Sequence, residues 1–318
     1  MATTATFSYA DPATIVASDE PFVKPWSKVD ADVTSFSRTA VRRLVSDMRT
    51  ALVADPAAFG VDKSGFALFE NVPATERAFV DEEAIRTSYY AEVEQLLRAQ
   101  LPRPEQSGQP VARVVIFDHT VRRRNPEAPR QPVQQIHVDQ TPRAAEQRAR
   151  RHLADVAGVT DADVDRLLRG RYQIINVWRP IGHAASDTPL ALVDWRSTDP
   201  DDAVAVDLLY PAWQALRPGG ELLPDADKAQ STDGYAIRGE TYTVVPNEKH
   251  RFYYAKDMTP NSVLFIKCFD SRSQAVPAGR PGVAAWTPHT AFDDPATPPE
   301  SKGRQSIEVR CLVFYEDE

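Results

Sequence analysis

The apolar positions of the chain change their period along its length. From Thr39 to Ala54, Val41, Leu44, Val45, Met48 and Leu52 recur three and four residues apart, which predicts a helix. Asp81–Leu101 is the strongest helical stretch: acidic residues open it, and Ile85, Tyr89, Val93, Leu96 and Leu97 share one stripe. Ser64–Val72 and Val111–His119 are rich in strand formers, and a turn-flanked strand lies within Pro129–Pro142. Residues 143–169 hold two polar helical stretches. After Gly170 the character changes. RYQIINVWR, LALVDW, AVAVDLLY, TYTVV, RFYYA, SVLFIKCF and SIEVRCLVFYE follow one another, separated by turn residues. Such a succession of short strands predicts an antiparallel sandwich or barrel with helical packing elements. Residues 1–35 carry no clear period and read as an extended arm.

Composition narrows the class. The 318 residues are 42% hydrophobic and 26% charged, enough apolar material for a sizeable core and against disorder throughout. Two cysteines, Cys268 and Cys311, exclude a disulfide scaffold and read as small apolar groups. No apolar run approaches the ~18 residues of a membrane span, and no basic-then-apolar leader opens the chain, so a cytoplasmic protein is expected. A net charge of −8 argues against nucleic acid as a partner. The basic run Arg122, Arg123 and Arg124 reads as a solvated loop. The 26 prolines against 13 glycines fit many short elements joined by rigid turns.

The candidate chemistry centres on one pattern. Of six histidines, only His137 is followed two positions later by an acid, in His137-Val138-Asp139. On a strand, i and i+2 project from one face, so imidazole and carboxylate would stand together. One distant histidine would complete the two-histidine, one-carboxylate face of non-haem Fe(II) oxygenases, with positions left for a cosubstrate and oxygen. His289, in AAWTPHTAFDDP, fits that place, and His250, in NEKHRFYY, competes for it. His183 sits in a turn and reads as solvent-facing.

A 2-oxoglutarate-using oxygenase also needs a cation for the distal carboxylate, and the planar fork of arginine suits that task. Arg304 opens the last strand, and Ser306 shares its face. Arg310 has the same parity, so both arginines remain candidates. Arg179 and Asn176, in NVWRP, are further candidates for binding substrate or cosubstrate. Tyr254, Lys267 and Asp270 read as core tyrosine and exposed charges rather than pocket lining.

Taken in order, IHVDQTP, NVWRP, LALVD, FIKCFDS, HTAFDDP and RQSIEVRCLVFYE resemble the hydroxylase/desaturase family that includes the cephamycin 7α-methoxylation component, the fungal gibberellin desaturase and a fungal meroterpenoid endoperoxidase. The similarity runs over about residues 60–318. It implies a mainly β fold with flanking helices, a cupin-like double-stranded β-helix or jelly roll. It also implies Fe(II), 2-oxoglutarate and O2, used to hydroxylate or desaturate a small specialised metabolite. Carried over, His137, Asp139 and His289 would be the iron ligands, and Arg304 and Ser306 would hold 2-oxoglutarate. The approach to Arg304 through PATPPESKGRQS is longer than the family pattern, so Arg310 stays open. The expected organisation is an arm and helix over 1–60 and one oxygenase domain over 61–318, with 143–169 as a helical insertion beside the metal mouth. The readings from other classes are an iron oxygenase that does not use 2-oxoglutarate, a zinc hydrolase or isomerase, and a non-catalytic jelly-roll binding protein.

Overall fold

The computed structural model describes residues 2–15, 22–101, 110–124, 132–212, 231–277 and 279–315. Their strands form a nine-stranded and a five-stranded sheet. The larger sheet runs in space β1 (Ala2–Ala10), β3 (Arg38–Asp47), β11 (Phe252–Tyr254), β8 (Leu190–Val193), β13 (His289–Ala291), β6 (His137–Val138), β10 (Tyr235–Val244), β9 (Ala203–Pro211) and β2 (Trp26–Lys28). The smaller runs β4 (Phe66–Phe69), β12 (Val263–Asp270), β7 (Tyr172–Pro180), β14 (Gln305–Tyr315) and β5 (Val111–Arg123). Phe66, Trp178, Leu264 and Ile266 of the smaller sheet pack with Leu190 and Leu192 of the larger one, so the two sheets face each other as in a jelly roll.

Every residue of β7 is buried, because the five-stranded sheet is covered on both faces. On its outer face, Ile175, Val177, Val309 and Val313 pack against Tyr89, Val93 and Leu97. Those come from the predicted helix at 82–100, made of α2 (Glu82–Ala84), a wide π turn over Ile85–Tyr89 and α3 (Tyr90–Gln100). The Asp81 carboxylate caps its first turn by accepting from the amides of Glu83 and Ala84. The inner face is shared. At one end it meets the larger sheet. At the other, Ile174, Cys268, Leu312 and Phe314 pack under Ala145, Ala149, Leu153, Val164 and Leu167 of α4 (Pro142–Ala154) and α5 (Asp161–Arg169). Thr141 caps α4 with Pro142 in its first turn, and Thr160 with Asp163 forms a reciprocal capping box on α5.

The N-terminal segment departs from expectation. Ala2–Ala10 is a strand with alternating Ala5, Phe7 and Tyr9 buried, and it extends the sheet that carries the candidate ligands. The helix predicted from Thr39 is a strand as far as Asp47, followed by α1 (Met48–Ala54). Residues 38–46 pair with β1 on one side, and Val45–Asp47 pair with β11 on the other; those ladder bonds override a pattern in which Leu44 is 61% exposed.

Lys267 and Asp270 are fully buried, not exposed. Two residues three apart on a regular strand face opposite ways, but β12 bulges between Lys267 and Phe269 and brings both to the outer face. The Lys267 ammonium donates to Asp62 and Asp270, each at 2.7 Å, and to the Ala284 carbonyl at 3.0 Å. Arg171 donates to the same two carboxylates, both at 2.6 Å. Burial opposes ionisation of Asp62 and Asp270, yet Lys267 and Arg171 outweigh it and hold both carboxyls below their usual range. Their stabilising contribution is therefore complete above the unfolded carboxylate range and fades as pH falls through the depressed folded values. Lys267→Met leaves buried carboxylates undercompensated and should cost ~3–5 kcal/mol near neutrality in denaturant titration. The gap from wild type should narrow in acid, as the variant's carboxyls take up protons. A gap that widens in acid would contradict this account.

Candidate metal centre

His137 and His289 stand opposite each other in the β6–β13 pairing, on strands of only two and three residues. Each ring is fixed by its Nδ1, which donates to a backbone carbonyl two residues upstream: Gln135 at 2.8 Å for His137 and Thr287 at 3.0 Å for His289. Both Nε2 atoms are thereby left as acceptors facing the same space. Asp139 follows β6, and its Oδ1 lies 3.5 Å from the Nε2 of His137 and 4.0 Å from that of His289. The ligand atoms of the three residues lie within 4.8 Å of one another. Burial pushes His289 down, and His137 adds to that push. Burial opposes charge on His137 too, but the Asp139 carboxylate beside it prevails and favours the charged form, raising it. Asp139 is held well below its usual value by the two imidazoles, against its burial. An ionised carboxylate and inward-facing imidazole nitrogens are the donor set that a divalent transition metal requires.

The backbone under His289 is held by Gly65. Its carbonyl accepts from the Thr287 hydroxyl at 2.5 Å, and its φ of +89° together with a Cβ position 2.4 Å from that hydroxyl excludes any side chain. Thus Gly65 fixes Thr287, and Thr287 orients His289.

Asn176 joins the cluster, but as a support for a ligand. Its amide donates to Asp139 Oδ2 at 2.6 Å, which leaves Oδ1 toward the histidines. The Cys268 thiol lies 3.7 Å from the same Oδ2. Asn176→Leu should weaken metal binding about 10–100-fold, the usual effect of losing a group that orients a ligand. Competition against a calibrated chelator measures it, and unchanged affinity would remove Asn176 from this role.

Beside the triad opens a pocket of about 460 Å³, the open solvent at its mouth included. Ser306, Glu308 and Arg310 line it from alternate positions of the last strand, and Arg304, just before that strand, continues the alternation, as their shared parity predicts. Arg304 is buried over the Trp178 ring, 5.7 Å from its centroid. One terminal nitrogen donates to the Thr188 carbonyl at 2.7 Å, and its buried Nε has no partner. Burial, then repulsion from Arg122, pushes its guanidinium down to about 9. Arg310 is already committed: it donates to Asp118 at 2.9 Å, Thr120 at 3.1 Å and Glu308 at 2.8 Å.

Arg179 does not join the site. It lies three positions from Asn176 on a regular strand and so faces the other way. There it donates to the Tyr89 hydroxyl and to the carbonyls of Val72 and Pro260. His250 is also placed elsewhere, between the Tyr9 hydroxyl at 3.0 Å and Asp202 at 2.9 Å. His183 is half-buried, with Nδ1 on the Ala184 carbonyl. Several lining residues were not expected, three of them notable for their chemistry. Arg122 belongs to the end of β5 rather than to a solvated loop, Trp178 lines the cavity beneath Arg304, and Glu308 enters between Ser306 and Arg310. The alternation Asp118, Thr120, Arg122 in the sequence carries the signal for the first.

Comparison with known proteins agrees with this geometry. A family model described as an oxidoreductase/YMDC permease-like domain matches residues 8–314. No helix among the described residues is long and apolar enough to cross a membrane. The hydroxylase/desaturase efuI of Hormonema carpetanum is 30% identical over 86% of this chain and 84% of its own. The Fe(II)/2-oxoglutarate-dependent dioxygenase nvfI of Aspergillus novofumigatus is 28% identical over 80% of this chain and 78% of its own. A solved structure of the iron and alpha-ketoglutarate-dependent endoperoxidase NvfI superposes with a TM-score of 0.71 at 24% identity, covering 98% of each chain, which establishes the shared fold. The chain belongs to the hydroxylase/desaturase family of oxidoreductases.

Proposed function

We propose that His137, Asp139 and His289 hold Fe(II), and that the chain uses it with 2-oxoglutarate and O2 to hydroxylate or desaturate a small specialised metabolite. The observation that carries this reading is the convergence of two Nε2 atoms and one Oδ1 at the edge of a cavity whose wall bears a buried arginine with an unpartnered nitrogen. Iron in such a site supplies oxidative cleavage of C–H bonds. The protein's own task is geometry. The Gln135 and Thr287 carbonyls hold the imidazoles in their ligating tautomer, and Asn176 holds the carboxylate. Arg304 binds the distal carboxylate of 2-oxoglutarate, with the Ser306 hydroxyl beside it. Arg304 is favoured over Arg310 because Arg310 is already matched by Asp118 and Glu308, whereas among the described residues no carboxylate pairs with the Arg304 guanidinium. A buried cation of this kind calls for an anion. The remaining cavity receives the substrate.

Adding 2-oxoglutarate to the Fe(II)-loaded protein without oxygen tests this. A weak visible charge-transfer band is expected in the wild type and absent in His137→Ala. Iron bound without a band would indicate an oxygenase of another kind, and no iron uptake would end the oxygenase reading.

A further inference from the structure

The two ligand histidines stand on separate supports. Thr287, whose carbonyl holds His289, is fixed by Gly65. The carbonyl that holds His137 belongs to the Gln135–Ile136 peptide, and the N–H of that same peptide donates to the Ser8 carbonyl of β1 at 3.0 Å. A peptide engaged at its N–H is a stronger acceptor at its carbonyl, because the two bonds polarise each other. Since β6 begins only at His137, this peptide precedes the β6 ladder, and β1 meets it in a single parallel bridge, Ser8 with Gln135. The Ile136 side chain is fully buried in one apolar cluster with Ala5, Phe7 and Tyr9 of β1. The Gln135 side chain is held separately, by the Thr243 hydroxyl at 2.7 Å. The strand β1 is itself tied down where it crosses this cluster. Phe7 stacks on Phe252 with ring centroids 4.2 Å apart, and the Thr3 hydroxyl donates to Asp294 at 2.8 Å. Burial pushes His250 down and keeps it neutral. Its Nε2 donates to the Asp202 carboxylate, which can only accept, so its Nδ1 accepts from the Tyr9 hydroxyl.

We infer that the N-terminal strand is a positioning element of the metal centre: the Ser8 carbonyl holds the Gln135–Ile136 peptide, that peptide orients the His137 ring, and Phe7 and Tyr9 are the positioning residues that keep Ser8 in place. The inference rests on the metal-site reading above. It gives His250 a task at one remove from the metal, as the anchor of Tyr9. It also makes the two histidines unequal, because only His137 depends on β1, while His289 depends on Gly65 and Thr287.

The test uses the full chain loaded with Zn(II), which is diamagnetic, and isotope-labelled histidine, so that magnetic resonance reads the Nδ1 proton of each ligand separately. In Phe7→Ala, which removes the stack on Phe252, the His137 Nδ1 proton should exchange faster with water, while that of His289 keeps its wild-type rate. Zn(II) affinity, read by competition with a chelator, should fall about 3–10-fold, less than the 10–100-fold of a direct ligand partner. Tyr9→Phe keeps the ring and removes one hydroxyl, and it should show the same pattern at smaller size, so a misfolded Phe7→Ala does not remove the test. Linkage requires the converse in the wild type: Zn(II) should slow exchange of the Ile136 amide. Equal acceleration at both histidines would mean general loosening and overturn the assignment. Unchanged Nδ1 protons in both variants, or an Ile136 amide indifferent to Zn(II), would overturn it too. Wild-type protein that takes up no Zn(II) would instead overturn the metal-site reading, and this assignment with it.

Discussion

Protein carrying His137→Ala should retain its fold and lose its metal. The imidazole would supply one of three donors, and the two that remain, Asp139 Oδ1 and His289 Nε2, stand 4.0 Å apart with no third ligand among the described residues to complete a face. Loss of a group that merely orients a ligand costs 10–100-fold in affinity, so loss of a donor should cost more. The site is small and half open at His137, and the substitution touches none of the large apolar clusters. Thermal unfolding of the metal-free proteins should therefore nearly coincide, while iron content after desalting falls to background. Asp139→Asn is the companion: it keeps the shape and removes the charge. Iron retained by His137→Ala at wild-type stoichiometry would show that the metal is held elsewhere.

Arg304→Leu should sharply weaken 2-oxoglutarate binding without harming the apoprotein. The guanidinium is buried, its Nε is unpartnered, and a carbonyl is its one hydrogen-bond acceptor among the described residues. Burial of a cation under such conditions is costly, and leucine removes the cost. The apoprotein's thermal midpoint should stay level or rise. Affinity for 2-oxoglutarate should drop about 10–100-fold or more, because two charge-assisted bonds are lost. Arg310→Leu should do the reverse. It strips Asp118 and Glu308 of their shared partner, lowering stability while leaving more of the cosubstrate affinity. Titration of 2-oxoglutarate into each variant, with melting curves of the apoproteins, separates the two. A wild-type affinity in Arg304→Leu would move the anchor to Arg310.

Much of this arrangement is legible in the sequence. Period-2 logic places His137 with Asp139 and aligns Arg304, Ser306 and Arg310, and the same logic, applied to NVWRP, separates Asn176 from Arg179. The β-rich run after Gly170 predicts the sheets well, since each strand is short, branched or aromatic, and bounded by turns. What a linear reading misses depends on distant partners. Thr39–Asp47 has a helical stripe, yet two neighbouring strands claim its backbone. Lys267 and Asp270 look like surface charges until a bulge and two remote residues, Asp62 and Arg171, enclose them. Arg122 reads as part of a basic run, and the strand pairing that sets it opposite Ser306 is what brings it to the cavity wall. Asn176 contacts a ligand rather than a cosubstrate because Asp139 happens to lie under it, a relation between two sheets that neither segment encodes alone.

The brevity of β6 and β13 has a consequence for the molecule's energetics. The two histidines meet through a single pair of residues, far apart in the chain, on strands too short to be firmly tied by their own ladder. An ion bound between them would act as a removable cross-link that closes a very long loop, the kind of clip whose stabilising effect grows with the loop it closes. Loading the metal and fastening the middle of the polypeptide to its C-terminal third are then one thermodynamic event. Chelation would loosen the join between the sheet's halves as well as silence the site, and the protein's resistance to heat becomes a function of how much free metal its surroundings supply.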